Sequence, residues 1–328
     1  TAETLNLAKF DLVWQPGLKL SLASKLVGLS QRISGDVTGT VAAANDAAGA
    51  RLADLLSLAA RGKVPAQLIA GRTPLRVAID AKLGVTDGAV KTAAPVNQLV
   101  ADGTIGEDRV RIDARTFGPL GNWRAQPADI QARINGRDAQ TTTGWLIGKP
   151  MIAGRSATRP VASPTTIVMT VAGTPQEKMK TFVRIAAGNA LDADFSGDMA
   201  LARGRMDWSG FIDLRRTTAK TLALLTWPDL HDHLSATPLR GRIKVASTKN
   251  GYRFEPQPML IGATRLTGKL DLVTASERPR LGGSIALDKA SLNRLASLLM
   301  RATPAADRSR EIGRASWGAS GWWGGGGG

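Results

Sequence analysis

The sequence predicts a mainly β protein, an antiparallel meander with a few short helices. Three observations lead there. Apolar residues recur at every second position through most of the chain, which places them on one face of a strand. Glycine-containing breaks separate the alternating runs. Helical periodicity, in contrast, can be written for only three segments.

The alternation is cleanest at Leu75-Arg76-Val77-Ala78-Ile79-Asp80-Ala81-Lys82-Leu83-Gly84-Val85, where apolar residues alternate with mostly polar or small ones over ~35 Å of extended chain. Leu18, Leu20 and Leu22 behave in the same way, as do Val110, Ile112 and Ala114, and Ile130, Ala132 and Ile134. The breaks Thr86-Asp87-Gly88, Ala101-Asp102-Gly103 and Asn135-Gly136 read as hairpin turns. A degenerate unit recurs at Ser34 to Gly39, Ser196 to Leu201 and Ser209 to Leu214. It is written twice in Gly262 to Asp288, where Leu270 and Leu272 share a face and so do Ile285 and Leu287, giving a hairpin with one apolar side. Between them Ser276-Glu277-Arg278-Pro279-Arg280 reads as a connection, because Pro279 has no N–H for a ladder.

Helical spacing predicts a helix over about 46–61, with Leu52, Leu55, Leu56 and Ala59 on one face. Asn45 or Asp46 would cap its start, and Gly62 and Pro65 would end it. Lys289 to Arg301 repeats the scheme behind Asp288 as N-cap, and a short helix is expected from Pro228, carrying Leu230 and Leu234 inward. Four regions follow. A β-rich region with one helix spans 1–148, a Pro/Gly linker or edge connection 149–164, a second β-rich region 165–301, and a flexible Gly-rich tail 302–328.

Composition narrows the chemistry. The chain has 328 residues with no cysteine, which excludes disulfides, thiolate metal sites and a cysteine nucleophile. Its 43 Lys and Arg against 27 Asp and Glu leave a net charge of +16, which favours anionic, phosphate-bearing partners. Aromatic residues that would stack on bases are scarce and the cations are scattered singly, so nucleic acid is not expected as a partner. No apolar run is long enough to span a bilayer. The chain starts at Thr1 without a signal-like segment, and reads as a fragment or processed product whose anchor or signal lies elsewhere.

Catalytic and metal motifs are absent. Gly144-Trp145-Leu146-Ile147-Gly148-Lys149-Pro150 resembles a phosphate loop, but it is one residue short and carries Pro150 in place of the magnesium-binding hydroxyl. His231 and His233, flanked by Asp229 and Asp232, are two apart, so on a helix they diverge rather than chelate. Neither a nucleophile elbow nor a triad can be assembled around them. No cofactor is expected, and the chain reads as a non-enzyme.

Residues Ala193 to Leu299 contain "DFSGDMALARGRMDWSGFIDL", "LLTWPDLHDHL", "TPLRGRIKV", "YRFEPQPMLIGATRLTGKLDL" and "RPRLGGSIALDKASLNRLASLL". This run resembles the AsmA family of bacterial envelope proteins (AsmA/TamB-like). The resemblance implies an elongated, curled, groove-like sheet in the periplasm, anchored to the inner membrane through an N-terminal segment outside this sequence. It also implies a role in outer-membrane biogenesis, carrying phospholipid or other acyl-chain lipids between membranes. Candidate groove residues are then Leu75, Val77, Ile79, Leu83, Leu270, Leu272, Ile285 and Leu287. The alternatives are a purely structural scaffold, since a sandwich core alternates in the same way, and more distantly a basic nucleic-acid binder.

Overall fold

The computed structural model describes residues 3–14, 17–29, 33–59, 72–85, 95–139, 142–143, 163–202, 205–226, 236–273 and 280–288. The chain forms two compact units, Thr1–Met206 and Asp207–Gly328. The first runs β1 (Thr4–Trp14), β2 (Leu18–Val27), β3 (Ser34–Ala43), α1 (Asp46–Ala59), β4 (Leu75–Val85), β5 (Val96–Ile105) and β6 (Asp108–Phe117). After a 3-10 turn at Leu120–Ala125 come β7 (Ala128–Gly136), β8 (Thr165–Thr174), β9 (Lys178–Ala187) and β10 (Leu191–Ala202). The second unit has β11 (Arg205–Thr218), α2 (Ala219–Thr226), β12 (Pro238–Thr248), β13 (Gly251–Ile261), β14 (Thr264–Val273) and β15 (Arg280–Leu287).

Both units are open, curled antiparallel meanders in which each strand pairs with the next in sequence. The expected β4 is found with the expected bounds. In the first unit pairing brings together residues far apart in sequence but equal in phase, such as Val41 with Val77 and Ile134 with Ile167. Of the expected linker or edge connection at 149–164, residues 149–162 lie outside the described residues, and β7 and β8 pair directly from Ala128 with Gly173 to Gly136 with Thr165. The division between units falls at Met206/Asp207.

Two expected turns are strand instead. Gly103 lies inside β5 and Asn135-Gly136 closes β7, while the β5 to β6 turn is made at Gly106, with φ of 61°. Arg280, expected in a connection, begins β15. The physical reason at Gly103 is proximity: a Cβ there would collide with the Arg76 carbonyl oxygen of β4. At Gly268 and Gly283 of the second unit, φ of 139° and 133° adds a backbone conformation open to glycine alone. Such glycine kinks bend a sheet.

The helix expected at 46–61 is α1. The Ala48 N–H donates to the Asn45 side-chain oxygen at 3.0 Å, so Asn45 is the cap, and Thr73 Oγ1 donates to Asp46 Oδ1 at 2.7 Å. Ala48 and Leu52 enter a cluster with Leu18, Val41, Ala43 and Leu75, against which Leu20, Leu55, Val77 and Ile79 pack. Leu56, expected on that face, is 43% exposed, because the stripe in contact runs through 48, 52 and 55. Asn45→Ala should cost about 1 kcal/mol of local stability. Faster amide exchange at Ala48 to Leu52 with unchanged exchange in β14 is the expected readout, and unchanged exchange in α1 would refute the cap.

In the second unit α2 is a helix not expected from the sequence, with the Thr221 N–H donating to Thr218 Oγ1 at 3.0 Å as its cap. The segment at Pro228 to Leu234, the helix at 289–301, the turn at 86–88, the Gly144 to Pro150 loop, His231, His233, Asp229, Asp232 and the tail lie outside the described residues. The Asp288 carboxylate accepts the Arg265 N–H at 2.7 Å, tying the end of β15 to β14.

Candidate functional site: an apolar face

Directly paired residues in an antiparallel sheet point to the same side, so the register alone maps the two faces. One ladder crosses all ten strands of the first unit as Leu12, Leu20, Val41, Val77, Gly103, Val110, Ile134, Ile167, Ile185 and Ala193. Two residues along each strand runs Phe10, Leu22, Gly39, Ile79, Ala101, Ile112, Ala132, Met169, Val183 and Phe195. Neither contains a polar side chain. The ladder between them, on the other face, holds Ser21, Thr40, Asp102, Arg111, Arg133 and Arg184.

The second unit repeats the arrangement. Leu214, Gly241, Met259, Leu266 and Leu287 form one apolar ladder, and Gly210, Val245, Phe254, Leu270 and Gly283 another. Trp208 and Tyr252 close this face at one strand end, with ring centroids 5.4 Å apart. The opposite face carries Arg242, which holds Asp213 through Nε at 2.7 Å and Nη2 at 2.9 Å, and Arg253, whose Nε donates to Asp271 at 2.7 Å. That hydrogen bond raises the Arg253 pKa above its ordinary value.

Burial separates this face from a sandwich core. Interior side chains of two packed sheets are close to fully buried. Here Leu22, Ile79, Ile112, Ile130, Met169 and Val183 are only half-buried. Phe10 and Trp14 on β1 are 42% and 48% exposed. Among the described residues no second sheet lies on either face. Full burial on the apolar side occurs chiefly toward strand ends, as under α1. Asp108 and Thr142 are also buried, joined by a 3.0 Å hydrogen bond from Thr142 Oγ1. Burial lowers the pKa of nearby Arg72 while the Asp108 charge opposes the shift.

The eight groove candidates all lie on these apolar faces, four in each unit, but their environments differ. Leu75 is 6% exposed and belongs to the cluster under α1, and Val77 and Ile79 pack against that cluster. Leu75 is thus covered by protein, while Val77 and Ile79 stay half-buried beside it. Leu83, Leu270, Leu272 and Leu287 are half-buried, and Ile285 is 53% exposed. Sequence reasoning did not single out Phe10, Leu22, Ile112, Ile130 or Met169 as groove residues, although the same period-two signal identifies them.

Among the described residues no group of three or more His, Asp or Glu is arranged to hold a metal ion, and no helix is long and apolar enough to cross a membrane. A depression on the polar face is lined by Asp113, Arg115, Asp129 and Gln131, and there Arg115 pairs with Asp113 at 3.8 Å. Compared with known protein families, curated proteins and solved structures, the chain matches none.

Proposed function

We propose that the chain handles acyl-chain lipid without catalysing a reaction, as a periplasmic AsmA-like domain that carries phospholipid between the membranes of a bacterial envelope. The observation that supports this reading is the half-exposed apolar face, uninterrupted by charge from Leu12 to Ala193 and again from Leu214 to Leu287. Such a surface left to water is costly at ~25 cal/mol per Å², and large exposed apolar patches mark binding surfaces. Acyl chains suit it because they are apolar and flexible and need no fixed hydrogen-bond register. In this reading the protein is held at the inner membrane and contributes to outer-membrane biogenesis.

The test uses the pleat, which sends neighbouring residues to opposite sides. Photo-crosslinkers at Ile112, Leu270 and Leu272 should capture phospholipid in cells, and those at Arg111, Lys269 and Asp271 should not. Equal labelling of both faces, or none, would favour a scaffold that binds no lipid.

A further inference from the structure

The apolar face accounts for chains but not for headgroups, and the second unit carries an unused feature at one strand end. Arg240 is the third residue of β12 and Arg265 the second of β14, and both pair with Leu260 of the intervening β13. Strands lie ~4.8 Å apart, so the two arginines project from the same face ~10 Å apart, on either side of an uncharged residue. A single tetrahedral anion between them fits that spacing. Arg215 and Arg216, both exposed, occupy the bulge of β11 between Leu214 and Thr217, next to Arg240.

Three cations on this face have carboxylate partners, while the exposed Lys269 makes no ion pair among the described residues. Arg242 holds Asp213, Arg253 holds Asp271, and Lys244 lies 3.9 Å from Glu255. Arg240 and Arg265 are exposed and make no ion pair among the described residues. The nearby Asp288 carboxylate is engaged by the Arg265 backbone N–H.

Their position matters as much as their charge. Leu239 and Leu266, adjacent in sequence to the two arginines, are buried on the apolar side. The rim between them is short: β13 turns into β14 through Gly262 and Ala263, and the Gly262 N–H donates to the Pro238 carbonyl at 2.8 Å, closing the turn against β12. Guanidinium groups are suited to phosphate oxygens, and long arginine side chains extend past apolar surface to reach them.

We propose that Arg240 and Arg265 form a headgroup site for a phosphate-bearing anionic lipid whose chains lie on the apolar face of the second unit. This assignment rests on the lipid-handling reading and adds the headgroup class to it. The whole chain is incubated with dioleoyl phosphatidic acid or dioleoylglycerol, lipids with the same chains that differ in the phosphate, and the bound lipid is counted by native mass spectrometry. The wild type should retain phosphatidic acid about tenfold better. Arg240→Gln with Arg265→Gln should abolish that preference while retaining dioleoylglycerol, whereas Arg242→Gln with Arg253→Gln should keep it.

Equal retention of the two lipids by the wild type, or an undiminished preference in the Arg240/Arg265 variant, would overturn the headgroup site and leave the lipid-handling reading standing. Binding of neither lipid would remove both. Displacement of phosphatidic acid by an equal concentration of soluble glycerol phosphate would show a free-phosphate site instead. Tighter retention of single-stranded DNA than of lipid, lost in the same variant, would assign the arginines to nucleic acid.

Discussion

Gly268→Ala should destabilise the second unit by about 2–5 kcal/mol, the combined scale of a strained backbone and an overpacked contact. At φ of 139° an L side chain is strained wherever it points, and the added Cβ would meet the Ser284 carbonyl oxygen of β15. Neither partner can yield cheaply, because Gly268 and Ile285 are paired in the middle of the β14 to β15 ladder. Gly282→Ala is the control. It lies three strand positions from the partner of Gly268, has no positive φ, and a Cβ there meets nothing within 4 Å. It should change stability by less than ~0.5 kcal/mol. Urea denaturation followed through Trp208, which contacts Tyr252 in the same unit, reads both variants. Equal stability of Gly268→Ala and wild type would mean that the kink does not shape this sheet.

Ile130→Glu should reduce the phospholipid recovered with the purified protein by about tenfold or more, as expected when a carboxylate is set against acyl chains. Ile130 sits between Ala114 and Val171 on the apolar face of the first unit, half-buried and apart from the cluster under α1. Its neighbour Gln131 is on the polar face, so Gln131→Glu should leave lipid recovery unchanged. The fold should survive Ile130→Glu with a loss of ~1–2 kcal/mol, because a half-exposed carboxylate keeps contact with water. In a closed core the same change would bury an unpaired charge and unfold the unit. Unfolding, or undiminished lipid recovery, would contradict the open face.

The period of two was sufficient to place β4 at Leu75 to Val85 and to assign Val77 and Ile79 to one face and Arg76 and Asp80 to the other. It depends on nothing beyond the geometry of an extended chain. The contact residues Leu52 and Leu55 of α1 were equally local and legible, and the sequence narrows the cap to Asn45 or Asp46, of which the structure selects Asn45. Gly103 was not. A glycine in a polar stretch reads as a turn, and only the approach of Arg76, 27 residues earlier in the chain, explains a glycine inside a strand.

The same distinction runs through the candidate site. Leu75 and Ile285 obey one alternation, yet one is 6% and the other 53% exposed. The amino-acid sequence by itself determined which side chains share a face, because that follows from strand phase. Tertiary structure decided what lies over that face, since α1 lands on β2 to β4 and nothing described covers Ile285. It also brought Arg240 and Arg265, 25 positions apart, to opposite sides of Leu260. Such pairings depend on register between strands, which no local pattern contains.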